Sequence, residues 1–297
     1  IFLMFFIQVA LLAVLYSRYW IAGFALGLAC GVKWSGLYFL IAFALLVLIF
    51  DWIRYRFLGY ENPIKEFLQK DFLKRTLQFI FLPLLTYMLS WSGWFFSKSG
   101  WDRNWSKNPF KSLWHYHAEI LNFHTNLTEK HPYMANPWSW LIMGRPTSFF
   151  YETPNTCGVK NCSREVLALG TPLIYWSIAV AFIIVIGIWI QSRDLTAGII
   201  LTAIGAGYLP WFAFQKRTMF TFYTISFEPF LMLLLIYLLH RYFQGAKDEE
   251  QLQKRKSVAF AIGAIYLACF LYFLPIYYGQ TLTYNSWYDH MWLPSWI

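Results

Sequence analysis

The stretch HPYMANPWSWLIMGRPTSFFYE occupies residues 131–152 and differs from the sequence on both sides of it. It contains a His, an Arg, a Glu, three prolines and several aromatic residues, whereas the segments around it consist mainly of Leu, Ile, Phe and Ala. A polar, turn-rich stretch between long apolar runs predicts a segment at a membrane surface that membrane-spanning helices hold in place. We therefore expect the rest of the chain to be a scaffold for this segment.

The composition supports a membrane protein. Of the 297 residues, 58% are hydrophobic and 13% are charged, and the charged fraction is well below the roughly 25% of soluble domains. Aromatic residues make up 22% of the chain, which suits a protein that crosses many headgroup interfaces. The net charge of +9 fits cytoplasmic loops that face anionic lipid, and because no nucleic-acid-binding module is present, membrane lipids rather than nucleic acids are the expected partners.

The apolar runs predict a series of membrane-spanning helices. Residues 1–16 and 20–32 form two runs, a tight turn or a re-entrant elbow is expected at 33–36, and a third run covers 35–50. Gly23, Gly27 and Gly31 recur at every fourth position, which predicts a smooth helix stripe for close packing. Residues 51–75 are charged and are predicted to be a loop. Further spans are predicted at 77–96, 171–190, 195–214, 219–240 and 258–277.

The first residue, Ile1, lies within an apolar run and is preceded by neither a Met nor a charged leader. We therefore expect the chain to be part of a longer protein.

The distribution of Lys and Arg predicts the orientation. If the 51–75 loop is cytoplasmic, strict alternation of the spans puts thirteen Lys and Arg residues in short segments on that side. The short segments of the opposite side carry only Lys33, Lys216 and Arg217. Because positive charge accumulates in cytoplasmic loops, residues 97–170 are predicted to be extracytoplasmic.

Cysteine and histidine spacing gives two further expectations. Cys157 and Cys162 lie in the predicted outer stretch, where an oxidising compartment favours a short-loop disulfide over two free thiols. His115 and His117 would share a face only on a strand, and the Cys spacing does not suit zinc, so no metal site is predicted. No cofactor is predicted, and the sequence leaves a divalent-metal requirement open.

Five motifs carry a resemblance to a known family. They are GVKWSGLYFL (31–40), the 131–152 stretch, LALGTPLIYW (167–176), RTMFTFYTISFEPF (217–230) and MWLPSWI (291–297). In this order they resemble the C-terminal half of a bacterial, actinobacterial-type protein O-mannosyltransferase. The resemblance implies an all-α, polytopic transmembrane helix bundle of the membrane glycosyltransferase C type with a long extracytoplasmic loop. It also implies transfer of mannose from a polyprenyl-phosphate donor to Ser or Thr hydroxyls of exported proteins at the cell membrane.

The same resemblance implies three parts. Residues 1–96 would be the C-terminal part of the catalytic transmembrane region, 97–170 the extracytoplasmic loop and 171–297 a C-terminal four-helix transmembrane region. The acidic catalytic motif of the family would lie upstream of Ile1, so the catalytic residues of this chain are unknown and the chain alone is expected to be inactive.

The chemistry suggests which residues bind the donor. Transfer from a lipid phosphate needs a carboxylate to accept the hydroxyl proton and cations to stabilise the leaving phosphate. Arg145, Lys33 and Arg217 are candidate phosphate ligands, with headgroup anchoring as the alternative role. The aromatic residues Tyr133, Trp138, Trp140 and Tyr151 are candidates for stacking on the sugar or accepting the isoprenoid chain, with interfacial packing as the alternative. His131 is a further candidate for binding the phosphate or the sugar of the donor.

A transporter or a non-catalytic membrane scaffold is the alternative from another functional class. Glycine stripes and charges at membrane depth would serve a transporter as well. Transporters usually contain internal repeats with broken helices, and this sequence shows no repeat. The sequence therefore favours an enzyme that acts on a lipid-linked donor.

Overall fold

The structure, a computed structural model, describes residues 1–155, 157–158 and 161–297 and is mainly helical. Its helices are α1 Phe2–Leu15, α2 Tyr19–Val32, α3 Gly36–Phe57, α4 Pro63–Lys70, α5 Phe72–Thr76, α6 Leu82–Ser90, α7 Ser92–Phe96, α8 Pro109–Asn126, α9 Pro172–Ser192, α10 Leu195–Tyr208, α11 Glu228–Gln244, α12 Glu249–Tyr278 and α13 Tyr284–Asp289. Its strands are β1 Thr147–Glu152, β2 Cys162–Ala168 and β3 Thr281–Thr283.

The contacts between residues divide the chain into two compact units. The first contains Ile1–Leu127, Thr202–Pro210 and Ile225–Phe227, and the second contains Thr128–Leu201, Trp211–Thr224 and Glu228–Ile297. These units follow contacts, whereas the three predicted parts follow the membrane topology, and that three-part division stays a prediction.

Four helical segments are long and apolar enough to cross a membrane: Gly36–Phe57, Pro172–Ser192, Leu195–Phe214 and Glu249–Tyr278. In the last of these, only 11% of the most apolar window is buried inside the structure. Exposed apolar surface on this scale requires hydrocarbon around it. The predicted fold class, a polytopic helical membrane protein, is thereby confirmed.

The glycine stripe of α2 packs against the segment that contains α6. A Cβ atom on Gly23 would lie 1.8 Å from the main-chain oxygen of Gln78, and one on Gly27 would lie 2.7 Å from Cβ of Thr86. Only glycine permits so close an approach of two backbones. The close packing expected from the stripe is confirmed.

The predicted span at 77–96 is interrupted. A π-helical turn at Leu77–Phe81 precedes α6, and Pro83 stands in the first turn of that helix. Proline has no N–H group to donate to the preceding turn, so the hydrogen-bond ladder changes register just before it. The segment is consequently built from α5, the π-helical turn, α6 and α7.

A buried ion pair fixes the other end of this segment to α3. Arg75 donates from Nε and Nη2 to the two carboxylate oxygens of Asp51, at 2.7 and 2.9 Å, and from Nη1 to Oε1 of Gln78 at 2.9 Å. Its guanidinium carbon lies 4.2 Å from the ring centroid of Tyr19. Both charged side chains are almost fully buried, and the hydrogen bonds between them offset part of the cost of removing their charges from water.

In the second unit, the three strands form one antiparallel sheet in the order β1, β2, β3. Glu152 pairs with Arg164 across β1 and β2, and Cys162 pairs with Thr283 across β2 and β3. The composition and the apolar runs did not indicate this sheet. It joins the 147–168 region to residues that follow α12.

The core of the second unit includes Leu167 of β2. Its buried side chains come from the 143–175 region, from the last third of α12 and from the C-terminal residues Trp287, Met291 and Trp296. The indole N–H of Trp296, which is fully buried, donates to the main-chain oxygen of Met143 at 2.7 Å. Residues after α12 are therefore integral to this core.

The predicted single span at 219–240 is wrong. Residues Thr221–Ser226 form a 3₁₀ turn, and α11 begins at Glu228. Pro229 sets this start. Proline is favoured in the first turn of a helix, and because it has no N–H group to donate, it would break a helix that continued through it from preceding residues. Glu228 accordingly stands at the N-terminus of α11, where a carboxylate is favoured.

Candidate functional site

The segment from His131 to Arg145 is built from turns. The main-chain N–H of Met134 donates to the oxygen of His131 at 3.0 Å, and a 3₁₀ turn covers Pro137–Ser139. The N–H of Gly144 donates to the oxygen of Ser139 at 2.9 Å. The two prolines of this segment, Pro132 and Pro137, explain the absence of a long helix, because each removes a donor and fixes its own backbone.

Side chains and main chain of the 211–224 segment hold these turns. The N–H of Ala135 donates to the oxygen of Met219 at 2.8 Å. The hydroxyl of Thr221 donates to the oxygen of Arg145 at 2.6 Å, and the hydroxyl of Thr218 donates to the oxygen of Glu129. Two motifs that are about 80 residues apart in the sequence therefore form one structural element.

Trp140 packs inside this element against neighbouring aromatic rings. It is fully buried, and its indole N–H donates to the oxygen of Ala135 at 3.0 Å. Its ring centroid lies 6.1 Å from that of Trp211 and 6.0 Å from that of Tyr223. Trp138, two residues earlier, is 62% exposed. Trp140 is consequently a core residue, and Trp138 is available to a ligand.

Arg145 is held by main-chain carbonyl groups. Its Nε donates to the oxygen of Pro132 at 3.0 Å, and its Nη1 donates to the oxygens of Ser295 and Ile297. Its guanidinium carbon lies 4.9 Å from the ring centroid of Tyr133. Within the described residues, Nη2 has no hydrogen-bond partner. Arg145 thus ties the 131–145 segment to the C-terminal residues and retains one terminal nitrogen for another acceptor.

His131 is exposed next to this guanidinium. Its ring centroid lies 5.9 Å from that of Tyr133 and 5.1 Å from that of Phe220. The main-chain N–H of Tyr133 donates to Nδ1 of His131 at 3.1 Å, so Nδ1 is the acceptor nitrogen and Nε2 carries the proton. His131 and Arg145 both lie beside the ring of Tyr133, and each presents an N–H donor suited to an oxyanion.

The predicted cations belong to two different units. Arg217 belongs to the same unit as Arg145, is half-buried, and has its guanidinium carbon 5.8 Å from the ring centroid of Trp211. Lys33 belongs to the first unit, where it follows the last residue of α2 and is exposed. The clustering of His131, Tyr133 and Arg145 is a feature of one compact unit, whereas the contribution of Lys33 stays a prediction.

Two carboxylates near this region have identified partners. Glu152 accepts a hydrogen bond from Arg164 across the sheet at 3.2 Å. Glu228 accepts one from the hydroxyl of Tyr175 at 2.7 Å, and the ring of Tyr175 lies where a side chain on Gly170 would be. The hydrogen bond from Tyr175 was not expected from the sequence. Both carboxylates are therefore bound to neighbouring elements of the second unit.

Glu165, a buried carboxylate on β2, was not expected from the sequence. Only 3% of Glu165 is exposed, and its Oε2 accepts a hydrogen bond from the indole N–H of Trp287 at 2.6 Å. Burial raises the pKa of the Glu165 carboxyl, against the opposing effect of hydrogen bonds from Ser148 and Trp287. The sequence of β2, CSREVLA, has no regular alternation of polar and apolar residues, so no local pattern marked Glu165 as buried.

Cys157 and Cys162 are joined by a disulfide in the structure, with 6.0 Å between their Cα atoms. Three residues of this stretch, Thr156, Val159 and Lys160, lie outside the described residues. Cys162 is the first residue of β2, so the bridge ties Cys157 to the start of this strand.

The first unit contains an elongated apolar cavity of about 730 Å³ between α3 and the α5–α6 segment. Its lining runs along α3 from Leu37 to Leu48, a distance of about 16 Å at the rise of an α-helix. Trp34 and Tyr87 line one end, where the indole N–H donates to the phenol oxygen at 2.9 Å. Arg75 lines the other end. A hydrocarbon chain matches such a surface.

Comparisons with known proteins identify relatives of the chain. Residues 109–296 match the family described as the C-terminal four-TMM region of protein O-mannosyltransferase. The chain is 33% identical over 299 residues to the polyprenol-phosphate-mannose–protein mannosyltransferase of Mycolicibacterium smegmatis, an alignment that covers 93% of this chain and 57% of the relative. The enzyme of the same name from Corynebacterium glutamicum is 30% identical over 302 residues, covering 94% and 58%. The chain thus spans under three fifths of the length of these curated relatives.

A solved structure supports the fold. The S. cerevisiae protein O-mannosyltransferase Pmt1–Pmt2 complex, bound to its sugar donor, is similar with a TM-score of 0.53 and 23% sequence identity. The similarity covers 65% of this chain and 28% of the yeast chain. It extends to the membrane-helix fold alone.

Proposed function

Because this chain belongs to the protein O-mannosyltransferase family, whose C-terminal four-helix region it contains, we propose that it serves the transfer of mannose from a polyprenyl-phosphate donor to Ser or Thr hydroxyls of exported proteins. The match over residues 109–296 is the observation that carries this proposal. The names of the bacterial relatives support the donor and the protein acceptor.

We assign the donor phosphate to the exposed side of the 131–145 segment. The bond between the sugar and the phosphate breaks in the reaction, so negative charge develops on the phosphate oxygens in the transition state. Arg145 through Nη2 and His131 through Nε2–H are the N–H donors beside Tyr133 that would stabilise this charge. Trp138, exposed on the same segment, is assigned to the sugar face. Arg217 is retained as a further phosphate ligand.

The apolar cavity of the first unit is proposed, by itself, as a binding surface for a lipid hydrocarbon chain. An isoprenoid chain needs an apolar, elongated surface with polar groups only at its ends, and the lining from Leu37 to Leu48 has this character. Trp34 and Tyr87 at one end of the cavity form a polar boundary for the chain. No residue of the described chain is assigned the role of general base.

We further propose that residues 131–152 lie on the extracytoplasmic side of the cell membrane. The thirteen-to-three distribution of Lys and Arg in short segments supports this orientation. Alkaline phosphatase fused after Glu152 should be active, and the same reporter fused within residues 247–256 should be silent. The opposite pattern would refute both the orientation and the assignment of the donor side.

The activity is tested directly in membranes. Membranes from cells that express the natural gene product, and from cells that lack it, are incubated with labelled polyprenyl-phosphate mannose and a Ser/Thr-containing acceptor peptide. Label should enter the peptide only with the first membranes, and mild alkaline β-elimination should release it as an O-linked sugar. Equal labelling by both membranes would refute the proposed function and favour a transporter or scaffold role.

A further inference from the structure

The geometry of the first unit points to a site for a divalent transition-metal cation formed by Asp102, His115 and Glu119. Each residue offers one ligand atom, and these atoms lie within 4.8 Å of one another. Nε2 of His115 and Oε1 of Glu119 are 3.8 Å apart. The inference is independent of the proposed transfer reaction, because it rests only on this group of side chains.

The helix explains why two of the ligands meet. His115 and Glu119 are four residues apart on α8 and therefore occupy the same face of the helix, one turn apart. The sequence expectation of no metal site rested on His115 and His117, which α8 places on different faces. His117 has other contacts: its Nδ1 lies 2.8 Å from the oxygen of Leu113, and its Nε2 lies 2.5 Å from the hydroxyl of Tyr87.

Asp102 reaches the helix from the preceding turn. Its backbone is left-handed, with φ of 53°, and its oxygen accepts the N–H of Trp105 at 3.1 Å. Two hydrogen bonds connect the turn to the start of α8. The N–H of Ser106 donates to Oγ of the buried Ser112 at 2.9 Å, and the hydroxyl of Ser112 donates to the main-chain oxygen of Ser106 at 3.2 Å. The third ligand is thus supplied by a segment with a fixed connection to the helix.

An aromatic ring holds the imidazole. The rings of Trp105 and His115 are stacked, with 4.1 Å between centroids and 11° between planes. Stacking fixes the orientation of the ring and so the direction of Nε2. In metal sites, the neighbours of a ligand commonly have this orienting role.

The distances between the three ligand atoms would suit a small cation if these atoms moved slightly closer together. Zn²⁺ binds nitrogen and oxygen at about 2.0–2.1 Å, so two ligand atoms of a tetrahedral site lie roughly 3.3 Å apart. The observed separations exceed this value by at most about 1.5 Å, which rotation of partly exposed side chains can remove. One imidazole and two carboxylates favour Zn²⁺ or Mn²⁺ over Ca²⁺, which prefers oxygen ligands alone.

The charges of the surrounding side chains and the number of protein ligands indicate how a cation would be held and what it would stabilise. The two carboxylates contribute two negative charges, while Lys111, one turn before His115 on α8, contributes one opposing positive charge. Three protein ligands leave at least one coordination position to water. A cation at this position would cross-link the 99–105 turn to α8 and stabilise the segment before the 131–145 region.

Metal binding is measured on the full-length protein in detergent, freed of affinity tag and of metal by chelation. Titration with ZnCl₂ should give one bound ion per chain and a melting temperature that rises with the free Zn²⁺ concentration. The isosteric variants Asp102→Asn and Glu119→Gln, together with His115→Gln, should each weaken binding by more than about tenfold. His124→Gln, on the same helix, is the matched control and should bind as the wild type does.

Two results would overturn the inference: no stoichiometric uptake by the wild type at micromolar Zn²⁺, or unchanged affinity in all three ligand variants. A second measurement needs no variant. Zn²⁺ should slow tryptic cleavage after Lys98 and Lys107, which flank the turn, whereas Mg²⁺ at the same concentration should not. Cleavage that Zn²⁺ leaves unchanged would equally contradict a cross-link between the turn and α8.

Discussion

Replacement of Arg145 by Ala separates a ligand role from a structural role. The guanidinium donates hydrogen bonds to the main-chain oxygens of Pro132, Ser295 and Ile297. A hydrogen bond with a charged group contributes roughly 1.5–3 kcal/mol, and the half-buried position favours the lower end of this range. Arg145→Ala should therefore lower the free energy of unfolding by on the order of 3–5 kcal/mol.

The stability measurement is thermal unfolding of the purified protein in detergent. For a chain of this size, each kcal/mol shifts the melting temperature by roughly 2–4 °C, so a decrease of about 6 °C or more is expected. Arg56→Ala serves as the control, because Arg56 is exposed at the end of α3. Its guanidinium carbon lies 5.9 Å from the ring centroid of Trp52. A change under about 1 °C for Arg145→Ala would refute the structural role of its hydrogen bonds.

The transfer assay addresses the ligand role. If Nη2 of Arg145 stabilises the leaving phosphate, Arg145→Lys should retain part of the stability and yet lower kcat more than it raises KM, because an ammonium group lacks the planar fork of donors. A charge-assisted contact made in the transition state contributes on the order of 3 kcal/mol, or roughly a hundredfold in rate. A stable Lys variant with normal turnover would restrict Arg145 to its structural contacts.

Three further predictions concern the scaffold. Gly23→Ala should destabilise the protein by roughly 1–3 kcal/mol, because its Cβ would meet a main-chain oxygen at 1.8 Å, whereas Gly187→Ala, which meets nothing within 4 Å, should be neutral or stabilising in the same melting assay. Glu165 has a raised pKa in the folded state, so its contribution to stability is lost as pH rises from the unfolded value of about 4.3 through the folded pKa. Glu165→Gln should therefore melt no lower than the wild type at pH 7 and show a flatter dependence on pH, and a steeper dependence would contradict the assignment. Cys157 and Cys162 should resist alkylation until a reductant is added, and reduction should cost about 2 kcal/mol for so short a loop; mass spectrometry that finds both thiols modified without reductant would exclude the bridge.

The sequence predicted the helices well where long apolar runs decide the structure. The predicted span at 171–190 corresponds to α9, and the expected turn at 33–36 is closed by a hydrogen bond from the N–H of Gly36 to the oxygen of Lys33 at 2.8 Å. The span at 258–277 is part of a longer helix, because the charged residues from Glu249 onward continue α12 beyond the apolar run. Helix ends in polar sequence depend on capping, which hydrophobicity does not report.

The sheet and the partners of the site residues could not be predicted in this way. β3 has three residues, and its pairing with β2 joins parts of the chain that are more than 110 residues apart. Such pairing depends on tertiary contacts that no local pattern encodes. The same applies to Arg145, whose position in a Gly-Arg-Pro turn indicated a functional role, while two of its carbonyl partners lie about 150 residues away.

The hydrogen bond between Trp296 and Met143 has a consequence for biosynthesis. These residues are separated by 153 positions, and at a synthesis rate of about 5–20 residues per second Met143 leaves the ribosome on the order of 10 s before its partner. During this interval the core position of Trp296 is empty and β2 lacks its neighbour β3. The nascent 131–168 region must therefore wait, incompletely packed, until α12 has been inserted. Chaperones and proteases at the membrane would have access to it throughout that time, so its survival depends on the speed of translation as well as on its final stability.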